Sequence, residues 1–364
     1  MNDQLIYQIA IGNLSGIGIQ KIKQIEITLD SFEQFFSLPV KELSDLFKIS
    51  FNHVGEWSFN KVLDQADKEI QFTQRNNINI TSCFDQEYPS RLKECIDAPS
   101  ILYSKGNYSL NPKHVIAVVG TRNMTAYGKR ICADLIEELE KFNCTVVSGL
   151  AYGVDIEIHK RCVESNISTV GVLAHGLDRL YPAKHSDIAV QMLSNGGLIT
   201  EFPINTNPDR ENFPKRNRIV AGMVDAVIVV ESGEKGGSLI TCELANDYNR
   251  DVYAFPGTVY SKYSKGCNKL IKEHKAIGLS SLNDLIQFLG WTEKEKTTTD
   301  QLDLFLNLTK DEEEIVKELK AQSLTIDQLS MKLNKSISDL SMQLFELELK
   351  AAVKLLPGNV YSCY

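Results

Sequence analysis

The spacing of hydrophobic positions along the chain changes twice, and each change marks a different kind of predicted structure. In residues 1–80 apolar side chains recur at helical spacing, as in Leu5, Ile6 and Ile9. Three- and four-residue spacing places apolar groups on one face of a helix, which can then pack against its neighbours. We therefore predict a helical N-terminal domain over residues 1–80.

One turn in this helical region has the pattern of a helix-hairpin-helix or SAM-like element. Gly16 and Gly18 flank Ile17, directly before a predicted helix. Such a turn can direct the amides of a helix N-terminus at a phosphate. However, the chain up to Arg75 carries ten acidic and seven basic residues. A helical module that packs against protein therefore remains an equal alternative.

From Asn111 onward, short β-branched runs alternate with helical stretches. Their continuous apolar character is typical of strands buried on both faces, and the alternation predicts right-handed crossovers and a parallel sheet. We predict an α/β fold with a Rossmann-like, mostly parallel sheet over residues 81–290, with its core in residues 113–290. The predicted strands are Val115–Val119, Thr145–Ser148, Thr169–Leu173, Leu198–Glu201, Ala226–Glu231 and Val252–Phe255.

The C-terminal part of the chain returns to helical spacing after a polar stretch. Residues 291–304 are predicted to be a linker, and residues 305–364 a winged-helix domain with three helices followed by a β-hairpin. The predicted helices are Glu313–Leu319, Thr325–Leu333 and Ile337–Leu349, and the hairpin turns at Pro357-Gly358-Asn359. From Trp291 to the end there are thirteen acidic and nine basic residues, which favours a role in protein contact over DNA binding.

Composition narrows the class of protein. The net charge of −8 excludes a protein that covers nucleic acid with its whole surface, so any DNA contact must come from a confined patch. The eight cysteines show no Cys-x-x-Cys pair, which predicts reduced, buried thiols. The chain start lacks signal-peptide character and no long apolar run occurs, which predicts a cytoplasmic protein without a membrane segment.

The turns that leave the predicted strands carry the candidate chemistry, because ligands of open α/β sheets bind beyond the carboxyl ends of the strands. The first strand ends in Gly120, Thr121 and Arg122, which combine close backbone approach, a hydroxyl and a guanidinium for phosphate. After the fifth strand, Gly237 and Ser238 stand at a predicted helix N-terminus, another anion cradle.

A basic segment follows the fourth predicted strand and contains Phe213, Pro214, Lys215, Arg216, Asn217 and Arg218. Bases can stack on an aromatic ring while neighbouring cations hold phosphates, so this segment is a candidate site for single-stranded nucleic acid. The alternative is a solvated, charged helix start with Phe213 in the core. Several phosphate partners on one rim suit an extended backbone better than a single small ligand.

At this point the sequence resembles the DNA-processing protein A family (DprA, also called Smf), over nearly the whole chain and with its motifs in family order. The motifs are Val119-Gly120-Thr121-Arg122, Ser148-Gly149-Leu150-Ala151-Tyr152-Gly153-Val154-Asp155, Gly176-Leu177-Asp178 with Tyr181-Pro182, Phe213-Pro214-Lys215-Arg216-Asn217-Arg218, Gly237-Ser238-Leu239-Ile240-Thr241, Phe255-Pro256-Gly257 and Gly266-Cys267-Asn268.

The resemblance implies a protein that binds incoming single-stranded DNA, protects it, and loads the RecA recombinase in natural transformation or recombination. It implies a homodimer built through the Rossmann-like domain. It also implies a DNA groove lined by Arg122 and by the residues Phe213, Lys215, Arg216, Asn217 and Arg218. The family usually has Ser where Thr121 stands, a change that keeps the hydroxyl.

The rival interpretation is an enzyme of the nucleoside-monophosphate phosphoribohydrolase (LOG-like) group, which Gly236, Gly237 and Glu243 partly echo. The expected Gly-Gly-x-Gly-Thr continuation is missing, and a mononucleotide site leaves the basic segment unexplained. We predict no catalytic residues, no metal site and no cofactor. His159, Asp155 and the other carboxylates beside glycine turns are predicted to be structural.

Overall fold

The computed structural model describes most of the chain and divides it into two compact units, Met1–Glu293 and Lys294–Tyr364. The described residues are 4–50, 58–291, 309–322, 324–350, 352–356 and 360–363.

The first unit begins with five described helices, as the apolar spacing predicts. They are α1 (Leu5–Gly12), α2 (Ile19–Thr28), α3 (Phe32–Ser37), α4 (Val40–Phe47) and α5 (Phe59–Arg75). Fully buried Ile25, Phe35 and Phe47 lie in one apolar cluster of this region. In the turn between α1 and α2, Gly16 has a φ of 79°, a conformation that favours glycine.

A nine-stranded sheet forms the centre of the first unit. Its strands are β1 (Asn79–Ser82), β2 (Ile101–Asn107), β3 (His114–Val119), β4 (Cys144–Ser148), β5 (Ser168–Val172), β6 (Gly196–Thr200), β7 (Ala226–Val229), β8 (Asp251–Ala254) and β9 (Ile277–Gly278). Their order is β1-β2-β6-β5-β4-β3-β7-β8-β9. Strands β3 to β9 pair in parallel, whereas β1 with β2 and β2 with β6 are antiparallel.

Helices cover both faces of this sheet, which confirms the predicted Rossmann-like, mostly parallel α/β fold. They are α6 (Ser90–Lys93), α7 (Ala126–Leu139), α8 (Val154–Glu164), α9 (Ser186–Met192), α10 (Asn212–Gly222), α11 (Gly237–Asp247), α12 (Lys265–Lys272) and α13 (Leu282–Leu289). Residues of α10 and α11 pack in one apolar cluster, and residues of α7, α8 and α13 pack in another. The six predicted strands are present, and β1, β2 and β9 are additional.

The helical region and the sheet share a core. Ala66 of α5 lies in one buried cluster with Ile101 and Tyr103 of β2. Strand β1 begins at Asn79, so the boundary predicted between residues 80 and 81 falls inside a strand of the sheet. The helices and the sheet therefore belong to one compact unit, and the domain limits drawn from the sequence stay predictions.

The second unit has the arrangement predicted for a winged helix. Its described elements are β10 (Leu324–Thr325), β11 (Val353–Leu356), β12 (Val360–Cys363), α14 (Lys310–Ala321), α15 (Ile326–Leu333) and α16 (Ile337–Leu349). The three strands pair in the order β10-β12-β11, and β10 is an addition to the predicted hairpin. Most of the predicted linker and the turn Pro357-Gly358-Asn359 lie outside the described residues.

Two further expectations can be compared with the described part of the chain. The seven cysteines whose side chains are described are all buried and free, in agreement with the prediction of reduced thiols; they are Cys83, Cys95, Cys132, Cys144, Cys162, Cys242 and Cys267. Among the described residues, no helix has both the length and the apolar character needed to cross a bilayer.

Candidate nucleic-acid interface

The strand order reverses at β3, which has β4 on one side and β7 on the other. At such a switch point the loops after the two strands diverge and leave a crevice at the carboxyl edge of the sheet. The turn Gly120–Arg122, here called the β3 turn, leaves the sheet at this position. The predicted first phosphate-binding turn therefore lies where an open α/β sheet binds its ligands.

Backbone contacts hold the β3 turn between its neighbours. The Thr121 amide donates to the Glu231 carbonyl at 2.7 Å, and the Val154 amide donates to the Thr121 carbonyl at 3.2 Å. At Gly153, whose φ is 81°, an added Cβ would lie 2.1 Å from the Thr121 carbonyl oxygen. The turn is therefore fixed before any ligand binds, and glycine is required where the two loops touch.

Arg122 and Phe213 form the exposed centre of the rim. The guanidinium carbon of Arg122 lies 5.6 Å from the centroid of the Phe213 ring, within range of a cation–π contact. Arg122 is exposed, and its side chain has no hydrogen bond or ion pair among the residues that the structure describes. Phe213 is half-buried, and the Tyr181 ring meets it edge-on at 6.2 Å. A cation and two rings thus face solvent together.

Tyr181 was not among the residues predicted to contact DNA. It is 48% exposed and belongs to a Tyr-Pro pair that follows Gly176-Leu177-Asp178. The sequence shows Tyr181 only as part of this motif. Nothing in the local pattern indicates that its ring contacts Phe213, 32 positions later. Tyr152, in the turn after β4, is a further exposed ring, and it packs edge-on against His185 at 4.8 Å.

Helix α10 divides the cations of the basic segment between solvent and core. Lys215 is exposed and has no ion pair or hydrogen bond among the residues that the structure describes. Arg216 is only 5% exposed, although it is the next residue. Its Nη1 donates to the carbonyl oxygens of Gly149 and Val172. Arg216 therefore ties α10 to the carboxyl ends of β4 and β5.

A buried carboxylate accompanies the buried arginine. Asp155 accepts hydrogen bonds from the amides of Gly149 at 3.2 Å and Ala151 at 3.4 Å. Burial raises the pKa of Asp155, and the positive charge of Arg216 opposes that shift. Burial lowers the pKa of Arg216 to about 10, so the guanidinium stays protonated at neutral pH. These contacts agree with a structural role for Asp155, which stays a prediction, and Arg216 has the same kind of internal contacts.

Arg218 also bonds within the chain. Its Nη2 forms an ion pair with the Glu201 carboxylate, and its Nη1 donates to the Asp97 carbonyl. The side chain of Asn217, half-buried, accepts from Arg216 Nε at 3.1 Å through Oδ1. Arg218 therefore links the segment before β2 to the carboxyl end of β6, and Asn217 supports Arg216.

The second predicted anion cradle lies at the start of α11, after β7. Gly237 is exposed, and the N-cap residue Gly236 has no side chain to bond the first amides of the helix. Ser238 is buried, and its hydroxyl donates to the Ser232 hydroxyl at 2.8 Å. Gly237 can thus approach a phosphate through its backbone, while Ser238 braces the loop.

Residues considered for catalysis have structural partners. His159 is fully buried, its Nδ1 lies 2.8 Å from the Thr169 hydroxyl, and burial lowers its pKa to about 3. Asp178 accepts from the Asn205 amide at 3.1 Å. Glu243 is exposed, 3.9 Å from Lys275 Nζ. No cluster of three or more metal-ligating side chains occurs in the part of the chain that the structure describes.

The fold and the rim define a Rossmann-like protein with a preformed, cationic and aromatic edge suited to a phosphate backbone. Comparison with known proteins gives the family. The family model described as DNA recombination-mediator protein A matches residues 79–290, and the one described as DprA winged helix domain matches residues 303–359. The chain belongs to the DNA recombination-mediator protein A (DprA/Smf) family, which confirms the resemblance seen in the sequence.

Curated relatives and solved structures agree with this assignment. Protein Smf of Synechocystis is 31% identical over 298 residues, covering 79% of this chain and 73% of the relative. DNA processing protein DprA of Bacillus subtilis is 38% identical over 201 residues, covering 55% and 68%. The crystal structure of DprA from Streptococcus pneumoniae superposes with a TM-score of 0.63 at 30% identity, covering 79% of this chain and 98% of that one.

A second solved structure carries information on a ligand. DNA processing protein A of Helicobacter pylori matches with a TM-score of 0.53 at 27% identity, covering 58% of this chain and 95% of that one. Its description concerns the mode in which that protein binds single-stranded DNA.

Proposed function

We propose that this protein binds single-stranded DNA along the carboxyl rim of its sheet. The observation that carries the proposal is the exposed guanidinium of Arg122 over the Phe213 ring, with Lys215 free of protein partners in the described chain. A ring can stack a base while the two cations hold the adjacent phosphates. The Helicobacter pylori relative, described as a single-stranded DNA binder, supports the same ligand.

The burial of each residue suggests separate roles within the predicted site. Arg122, Phe213 and Lys215 would contact the strand directly, and Gly120, Thr121 and Gly237 would offer backbone amides or a hydroxyl. Arg216, Asn217, Arg218 and Ser238 would act through their neighbours, because their polar groups bond inside the chain. This division refines the prediction from the sequence, which treated the three cations of the segment alike.

The finer role follows the family. We propose that the protein protects incoming single strands and loads RecA during transformation or recombination, in the cytoplasm where the recombinase acts, without being an enzyme. We also propose a homodimer through the Rossmann-like domain. Strand β9 is the last strand of the sheet, and Ile277 within it is 43% exposed, so an apolar edge is available for pairing.

Fluorescence anisotropy with a labelled oligo-dT, followed by the matching duplex, tests the proposal at two salt concentrations. Binding should favour the single strand and weaken as salt rises, because phosphate contacts release counterions. Arg122→Ala and Lys215→Ala should each weaken binding. Lys141→Ala is the matched control, since Lys141 lies just beyond the end of α7, where it pairs with Glu138 of that helix. Lack of oligo-dT binding by the unaltered protein would refute the proposal.

Two experimental outcomes would change the proposed function. If Arg122→Ala and Lys215→Ala both bind as tightly as the unaltered protein, the groove lies elsewhere on the surface. Release of free adenine from AMP would support the phosphoribohydrolase alternative instead. The urea midpoint of each variant should match that of the unaltered protein, because both cations are exposed and make no bonds within the described chain.

A further inference from the structure

The loop that leaves β8 carries exposed apolar side chains that neither the core nor the site above uses. Residues 256–264, here called the β8 loop, lie between the motifs Phe255-Pro256-Gly257 and Gly266-Cys267-Asn268. Within this loop Tyr260 is 93% exposed and Val259 is 70% exposed. These two adjacent side chains together offer an apolar surface that a ligand could cover.

Hydrogen bonds anchor both ends of the β8 loop. Asn268 brackets Gly257, accepting from its amide at 3.1 Å and donating to its carbonyl at 2.9 Å. The Ser232 amide donates to the Tyr263 carbonyl at 2.8 Å, and the Gly266 amide donates to the Ser232 carbonyl at 2.9 Å. The last two bonds join the end of the loop to Ser232, in the loop after β7, and Tyr260 lies between these anchored ends.

The charge around Tyr260 is positive, in contrast to the net charge of −8 for the whole chain. Lys262 and Lys265 are exposed, and Lys235 is exposed on the loop after β7. Glu234 is the one acidic residue in the two stretches 232–236 and 256–265. Lys262 Nζ lies 5.6 Å from the Tyr263 ring centroid. Lysines alternating with rings form the pattern that binds single strands.

The β8 loop lies on the same rim as the β3 turn. Strand β7 alone separates β3 from β8, which places the two loops on the order of 10 Å apart at the usual inter-strand spacing of about 4.8 Å. A cavity of about 630 Å³ lies between the start of α7 and the β8 loop, lined in part by Thr125, Tyr127, Glu231 and Ser261.

The lining of this cavity indicates which part of a strand could face it. The Glu231 carboxylate is buried there and accepts from the Thr125 amide at 2.8 Å and the Thr125 hydroxyl at 2.7 Å. A carboxylate repels a phosphate, whereas hydroxyls and a ring suit the sugar and base edges. Phosphates would therefore follow the exposed lysines, outside the cavity.

We propose that the β8 loop is a second contact segment for single-stranded DNA, in which Tyr260 stacks on a base and Lys262 and Lys265 hold phosphates. The inference rests on the proposed function and extends it. A strand held at Phe213 and Arg122 continues across the switch point to Tyr260. The bound stretch is then longer than the part that the basic segment of α10 can hold.

Anisotropy titration with an oligo-dT of about 20 nucleotides tests this extension, since such a strand is longer than the roughly 4–16 nucleotides that one OB fold binds. Tyr260→Ala should raise the Kd by about 5- to 150-fold, the range for losing one stacked base. Tyr260→Phe keeps the ring and should bind like the unaltered protein. Lys262→Ala should weaken binding, and Lys141→Ala should not.

Photocrosslinking locates the contact independently. With 5-bromouracil in the oligonucleotide, the crosslinked peptide should contain Tyr260. Unchanged affinity of Tyr260→Ala, alongside normal binding by the unaltered protein and weakened binding by Arg122→Ala, would overturn this inference and leave the proposed function standing. If the unaltered protein fails to bind, both the proposed function and this inference are refuted. Tyr260 is so exposed that its replacement should leave the urea midpoint unchanged, which separates lost contact from lost folding.

Discussion

Replacing Arg216 with Met should destabilise the first unit strongly, although the residue belongs to a segment rich in surface cations. The substitution removes a guanidinium that donates to the carbonyls of Gly149 and Val172. It also leaves the buried Asp155 carboxylate without its positive neighbour. Removing one partner from a buried charge pair costs about 3–5 kcal/mol, because the remaining charge stays desolvated.

A double-mutant cycle separates this explanation from simple loss of packing. Asp155→Asn removes the charge while its amide oxygen can still accept from the Gly149 and Ala151 amides. If the uncompensated carboxylate causes most of the loss, Asp155→Asn should recover about 1–3 kcal/mol in the Arg216→Met background. Urea unfolding followed by tryptophan fluorescence measures this, since Trp291 packs against an apolar cluster of the first unit.

The pH dependence of the single variant gives a second readout. Burial raises the pKa of Asp155, so its contribution to stability is present at low pH and lost as pH rises through the folded pKa. Removing Arg216 raises that pKa further. The deficit of Arg216→Met should therefore shrink as pH falls and the carboxyl takes up a proton. Strict additivity in the cycle, with a deficit independent of pH, would refute the electrostatic account.

Two other predictions concern the helical region and the second unit. Glu69 of α5 is buried and accepts from the Ile204 amide at 2.6 Å, and burial raises its pKa to about 7. The contribution of Glu69 to stability is lost as pH rises through about 7. At about pH 8, Glu69→Gln should therefore unfold at a higher temperature than the unaltered protein. Its Tm should also change less between about pH 5 and about pH 8. An isolated fragment of residues 305–364 should not bind DNA at physiological salt, because it carries nine acidic and seven basic side chains. Clear binding in a gel-shift assay would contradict this prediction.

The parallel part of the sheet was predictable because strands buried on both faces must be continuously apolar. The additional strands lack that signature. Strand β2 ends in the exposed residues Gly106 and Asn107, and β9 has only two residues. Their pairing depends on distant partners, such as Tyr103 with Thr200, which local spacing does not reveal. The predicted set therefore stopped at the strands whose own residues identify them.

The basic segment shows a similar limit. Lys215 and Arg216 are equivalent in a charge count, but α10 turns them to different sides. Arg216 falls on the stripe that contains buried Ile219, Val220 and Met223, at helical spacing from it. That periodicity was legible in the sequence and points to a buried arginine. The contact between Arg122 and Phe213 could not be predicted from the sequence, since it depends on where the strand order reverses.

The antiparallel pairing of β2 with β6 matters for any attempt to isolate the Rossmann-like core. A shortened chain that began at residue 113 would leave β6 as the outermost strand, and the backbone groups of Gly196 to Thr200 that face β2 would be unpaired. This strand reads Gly-Gly-Leu-Ile-Thr and has neither the lysine nor the proline that discourages edge-to-edge association. Such a fragment should therefore self-associate through β6. Residues 79–112 thus act as a protective border for the sheet.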